Sequence, residues 1–175
     1  MEDHNERAKE LFAAYYGSYF QMHRAGYYNE YQKYEISKDT EAIWLEEMIV
    51  QRTSELSIRS WEAVHQLLSI AKNNPDSRIL DAVISFTTRH LMSSDSVVKL
   101  MYAENIIEII KLVKGKCTIE QLHEACKVTA LLLEDIIAKP LIIDPGHELI
   151  LFQIKDKRAL NLRAKNNIDL IKGLL

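Results

Sequence analysis

Residues 60–89 are echoed 42 positions later by residues 102–131. The first segment reads SWEAVHQLLSIAKNNPDSRILDAVISFTTR and the second YAENIIEIIKLVKGKCTIEQLHEACKVTAL. Glu62 overlies Glu104, Lys72 overlies Lys114, Leu80 overlies Leu122 and Thr87 overlies Thr129. Apolar residues coincide at Val64/Ile106, Leu67/Ile109, Leu68/Ile110, Ile70/Leu112, Ala71/Val113, Ile84/Cys126 and Phe86/Val128. The break at Asn73-Asn74-Pro75 falls on Gly115-Lys116-Cys117. Two helix pairs with their apolar faces in one register bury those faces by stacking, which limits the chain to a layered helical body. Only four of the thirty aligned positions are identical, so amphipathic patterning alone accounts for much of the match.

A spacing of about 40–47 residues is the period of helix-pair arrays of the HEAT or armadillo kind. The expected fold is therefore all-α, of seven or eight helices. Residues 40–138 stack as a short right-handed array of antiparallel helix pairs. Residues 1–38 form a Tyr-rich cap at one end and residues 140–175 a basic segment at the other. A chain of 175 residues, 47% apolar, can bury one core and is expected to form one domain.

Local signals place the helices. Asp3 or Asn5 caps a first helix that runs to about Ala25 and stops at Gly26. Thr40 or Asp39 caps a second, to about Ser54, with Ile43, Trp44, Glu47, Met48 and Val50 as its stripe. Ser57 or Ser60 opens a third, and Asn74-Pro75 restarts the chain into a fourth, to about Leu91. Ser93–Ser96 breaks the chain and caps a fifth helix, to Val113. Thr118 with Gln121 has the capping-box pattern for a sixth, which Pro140 ends. Around Asp144-Pro145-Gly146-His147, a helix capped by Asp144 is preferred to a β-hairpin over 141–154, because a lone hairpin has little support. A last helix spans Lys157 to Lys172.

The start, MEDHNERAKE, has no basic and apolar run of the secretory kind, so no signal is expected. Apolar runs are too short to span a bilayer, and no membrane partner is expected. Cys117 and Cys126 fit reduced thiols of a cytoplasmic protein.

Gly17-Ser18-Tyr19-Phe20, Met22, Arg24, Gly26, Tyr28, Glu30-Tyr31, Tyr34 and Ile36-Ser37-Lys38 resemble small uncharacterised all-helical proteins of Gram-positive bacteria. The resemblance covers the first quarter of the chain. It implies a bacterial cytoplasmic setting and no activity.

Seven of the eight tyrosines lie between positions 15 and 34. Tyrosine buries a large area while keeping a polar tip, a combination favoured at interfaces. Tyr19, Tyr27, Tyr28, Tyr31 and Tyr34 are the candidate docking surface for another protein or peptide. The competing expectation is an N-terminal helix packed on the body with its hydroxyls at the margin. The expected function is a non-catalytic, protein-binding regulatory or inhibitory module without cofactor.

Two rival functions have residues behind them. Glu62/His65 and Glu120/His123 are Glu-x-x-His pairs, each on one helical face. With a glutamate from each of two other helices (Glu46 or Glu47, and Glu104 or Glu108) they could hold a di-metal centre in a bundle. Both pairs sit close to helix starts, where such a centre is hard to close. Cys117, His123 and Cys126 lack the spacing of a structural zinc site. Cys117 stands beside a helix start, a position that can lower a thiol pKa, but no base partner marks it as a nucleophile.

The other rival is a helix-turn-helix over 118–139. Leu122-His123-Glu124-Ala125-Cys126-Lys127-Val128-Thr129 resembles its turn, with Thr129 capping a recognition helix and 141–154 as a wing. His123 and Lys127 replace the small residue and the glycine of that pattern, and the recognition helix offers no Arg, Asn or Gln to base edges. The segment 153–175 holds six Lys/Arg against two Asp, a net +4, while the rest carries 16 against 23, a net −7. Arg158, Arg163 and Lys165 are the candidate phosphate contacts, and docking of the basic segment on the chain's own acidic body competes with that role. Phosphate-loop, nucleophile-elbow, dinucleotide and zinc-protease motifs are absent.

Overall fold

The computed structural model describes residues 2–175, with side chains from His4 onward. Its helices are α1 (Glu2–Ala14), α2 (Tyr19–Arg24), α3 (Tyr28–Gln32), α4 (Lys38–Ser54), α5 (Glu62–Asn73), α6 (Ser77–His90), α7 (Ser96–Val113), α8 (Ile119–Ala138) and α9 (Lys157–Lys172). The described residues contain no strand. None of these helices is long and apolar enough to cross a membrane.

The fold is a stack of packed helix pairs. α6 starts at Ser77 and α8 at Ile119, the 42-residue offset of the echo. Their N-caps, Asp76 and Thr118, keep the same offset. α5 packs on α7, α6 packs on both α7 and α8, and α7 packs along α8. α4 precedes them on α5, α1 packs on α4, and α9 covers α8 and α7.

α7 is the centre. Val97, Val98, Leu100, Tyr102, Ala103, Ile106, Ile107, Ile109, Ile110 and Val113 are each at most 1% exposed. They surround the helix rather than lining one stripe, which is the pattern of a helix buried on every side. Each such aliphatic side chain contributes about 1.5–3 kcal/mol of transfer free energy. Tyr102 holds the loop before α5: its hydroxyl donates to the Ser57 carbonyl at 3.0 Å and accepts the Ser57 amide at 3.2 Å. Burial pushes its pKa up to about 12.

The expected first helix is two. Gly17 N–H bonds the Phe12 carbonyl at 2.8 Å and Tyr16 N–H the Ala13 carbonyl at 3.2 Å, a Schellman close to α1. Tyr16 and Gly17 both have positive φ, and Ser18 then caps α2 by accepting the Gln21 amide. Asn5 lies inside α1, and a capping role for Asp3 falls outside the described side chains. α4 is capped by Ser37 rather than Thr40 or Asp39, and it buries Glu41, Trp44, Met48 and Ile49 while Ile43 and Val50 face solvent. α6 is capped by Asp76, two residues beyond Asn74.

The capping box at Thr118 and Gln121 is formed, and α8 runs unbroken from Ile119 to Ala138. The segment after Pro140 is neither hairpin nor α-helix. It is a loop with a turn at Asp144–His147 and a single 3₁₀ turn at Leu149–Phe152, closed by Gln153 in a left-handed conformation. Asp95 explains why. Its Oδ1 caps α7 by accepting the Val98 amide, and its Oδ2 accepts the Asp144 amide and the His147 ring. Asp144 is thus bound through its own backbone and does not start a helix.

Candidate functional site

The polar site with the most convergent groups is Glu41, on the first turn of α4. Its side chain is almost buried, and three donor atoms from three helices meet there. Tyr31 of α3 donates to Oε1 at 2.7 Å, Tyr19 of α2 donates to the same oxygen, and Lys38 Nζ donates to Oε2 at 2.8 Å. Lys38 also bonds the Tyr19 hydroxyl and lies 4.4 Å from its ring centroid. Local sequence builds the node: Ser37 caps α4, which places Lys38 and Glu41 one turn apart, and Ser18 caps α2 with Tyr19 as its first residue.

Burial alone would raise the Glu41 pKa, but the bonds from Lys38, Tyr19 and Tyr31 outweigh it and lower it. Burial, then the Glu41 contact, raises Tyr19 and Tyr31. Glu41 raises Lys38. Each of these pKa values is driven away from pH 7. A proton-transfer catalyst needs the opposite, a pKa near the working pH. The node is therefore built to hold position.

Beside it opens a cleft of about 470 Å³, walled by Phe12, Leu45, Asn73 and Asn74, with Tyr19, Lys38 and Glu41 along one side. Gly17 allows the close approach: a Cβ there would lie 2.9 Å from the Phe12 ring and 3.3 Å from the Asn74 amide. Phe20 stands at the rim, 68% exposed.

Of the five candidate tyrosines, only Tyr19 lines this cleft. Tyr31 is buried, packed against Phe12 and Tyr19. Tyr28 packs against Tyr19, and Tyr34 donates to Glu30, which also accepts from Arg7. Tyr27 is the exposed one. The cluster is chiefly the internal packing of the N-terminal cap. Sequence reasoning missed Lys38, Glu41, Asn73 and Asn74; the Ser37 cap with Lys38 and Glu41 at i and i+3 was the available signal.

The two Glu-x-x-His pairs do not converge. Glu62, His65, Glu120 and His123 are all exposed, and none enters a ligand cluster among the described residues. His65 pairs with Asn105. The carboxylates that would complete a di-metal centre are paired with cations: Glu46 with Arg78, Glu47 with Lys9, Glu104 with Arg163 and Glu108 with Lys111. The described residues do bring Asp95, Asp144 and His147 together, with ligand-type atoms within 4.8 Å of one another. Asp95 already accepts three N–H groups there, so a cation would have to displace the α7 cap or the loop. These residues form a clasp and do not suit a metal.

Both cysteine pKa values are raised, Cys126 by burial and Cys117 by burial with Asp81 nearby. At Cys117 partial burial outweighs any lowering by the start of α8. The helix-turn-helix is also overturned. Lys127 sits mid-helix, and the Thr129 hydroxyl, fully buried, donates to the Ala125 carbonyl and caps nothing. Arg163 is not free for phosphate: it grips both oxygens of Glu104 at 2.6 and 2.7 Å and the Phe152 carbonyl at 3.0 Å. Arg158 and Lys165 remain exposed.

No family model, no curated protein and no solved structure matches this chain.

Proposed function

We propose that the chain is a non-catalytic helical binding module of a bacterial cytoplasm. It takes a short extended segment of a regulated protein into the cleft between α2, α4 and the end of α5. Phe20 carries this assignment. A phenylalanine 68% exposed at the rim of a preformed cleft is the kind of aromatic anchor that interfaces use. A volume of about 470 Å³ falls within the usual range of binding clefts. Fixed walls lower the entropy lost on binding, and the Glu41 node fixes this one. Phe12, Phe20 and Leu45 offer contact to an apolar side chain. The Asn74 amide and the exposed Lys38 ammonium suit a peptide carbonyl and a neighbouring acidic residue.

A displayed random-peptide library panned against the purified protein tests this. Enriched peptides are expected to carry an aromatic or aliphatic anchor next to Asp or Glu. Phe20→Ala, at an exposed position, should leave the melting temperature unchanged and weaken those peptides by about tenfold or more. If nothing is enriched, or Phe20→Ala binds the same peptides equally well, the cleft is not the binding site.

A further inference from the structure

A second groove, of about 450 Å³, runs between α6 and α8 on a part of the molecule separate from the N-terminal cleft. Leu80 and Ile84 form its floor. Its rim carries three carboxylates, Asp81, Glu120 and Glu124, and one cation, Arg89. Gln121 donates its neutral amide to both oxygens of Asp81, so that charge is not cancelled. Glu120 and Glu124 are exposed and in no ion pair among the described residues.

The complementary surface is on the same chain. α9 buries Leu160, Ala164, Asn167 and Ile171. Its opposite face exposes Arg158, Leu162, Lys165, Asp169 and Lys172, at i, i+4, i+7, i+11 and i+14. That is one straight helical stripe. It carries three cations, one acid and a leucine 61% exposed. The groove carries three acids, one cation and an apolar floor. The patterns are charge inverses, and each has an apolar element among its charges. α9 cannot reach this groove within one molecule, because its buried face is fixed on α7 and α8.

We propose that the outer face of α9 docks in the α6–α8 groove of a second copy, giving a head-to-tail contact between molecules. Leu162 lies on Leu80 and Ile84, Arg158 and Lys165 face the acidic rim, and Asp169 faces Arg89. Such a contact is heterologous: the dimer as a whole keeps one free groove and one free α9, so assembly continues past it. Exposed ion pairs are individually weak and screened by salt, so the association is salt-sensitive.

Sedimentation velocity of the full chain tests this with two charge-reversed variants. One carries Glu120→Lys and Glu124→Lys, the other Arg158→Glu and Lys165→Glu. The wild type is expected to grow beyond a dimer with concentration at low salt, and to dissociate about tenfold more readily at about 0.3 M salt. Each variant alone is expected to be monomeric, with an unchanged circular dichroism spectrum. An equimolar mixture should assemble again, because the intact α9 of the first variant meets the intact groove of the second, and the two reversed surfaces are once more opposite in charge. A wild type that stays monomeric at low salt overturns the proposal. So does a wild-type assembly that ignores both reversals, or a mixture that fails to pair. Peptide binding at the Phe20 cleft is read separately and does not depend on this outcome.

Discussion

The two ends of the helix stack are closed by different chemistry. At the N-terminal end, the short helices α2 and α3 pack with α1 through aromatic rings, and the Tyr19 and Tyr31 hydroxyls converge on the Glu41 carboxylate. At the C-terminal end, one long helix is held by charged side chains. Arg163 reaches Glu104 on α7, and Lys157 of α9 bonds the Ile136 carbonyl of α8. Lys99, almost fully buried on α7, pairs with Asp135 of α8. An end built from short helices needs large rings to bury enough area, and those rings bring hydroxyls that require an acceptor. An end built from a long helix buries small aliphatics along one stripe and leaves its outer face to charge. The first leaves a cleft and the second leaves a stripe, which explains why binding is assigned to one and self-association to the other.

The largest expected effect breaks the charged end. Asp135→Ala strands the Lys99 ammonium, whose side chain is 6% exposed, and should cost about 3–5 kcal/mol in urea unfolding. Lys139→Ala removes the other, 53% exposed partner of Asp135 and should cost under about 1 kcal/mol.

Glu41→Gln tests the aromatic end. It weakens the charge-assisted bonds of Tyr19, Tyr31 and Lys38 and should cost about 2–3 kcal/mol. Amide exchange should quicken in α2 and α3 while α7 and α8 keep their protection. The pH dependence follows from the same node. The Glu41 pKa is depressed below 4.5, so its stabilisation is complete above the unfolded value and is lost as pH falls through the folded one. Tyr19 and Tyr31 are raised above 10.0, so their contribution is complete below pH 10.0 and falls as pH rises beyond it. Glu41→Gln should flatten the acid limb of the stability curve; an unchanged limb would remove Glu41 from the account.

Gly17→Ala forces a side chain onto a backbone at φ +73° and against the Phe12 ring, and should cost about 1–2 kcal/mol in a thermal melt. A smaller effect sharpens the comparison. Arg163→Ala removes a partly exposed bidentate pair and should cost about 1 kcal/mol, lowering protection in α9 alone.

Much of the frame was legible in the sequence. The capping box at Thr118 and Gln121, the break at Ser93–Ser96 and the span of α9 all come from short-range chemistry, in which a side chain satisfies a backbone amide two or three residues away. The same rule was available and missed at Ser18 and Ser37, where Tyr16-Gly17 and the residues before Lys38 carry the break. The candidate site was far less legible. Tyr31 and Glu41 lie ten positions apart and Tyr19 twenty-two from Glu41, so no local pattern links them. Arg163 and Glu104 are 59 positions apart.

By itself, then, the sequence determined an all-helical fold of packed helix pairs, because helix caps and amphipathic periods act within a few residues. Only the tertiary structure decided which tyrosines became core, that Lys127 lies in an unbroken helix, and that Asp95 holds the 141–148 loop away from a helix. Those outcomes depend on which donors and acceptors meet across the fold, and a buried carboxylate is committed to whichever partners the packing brings to it.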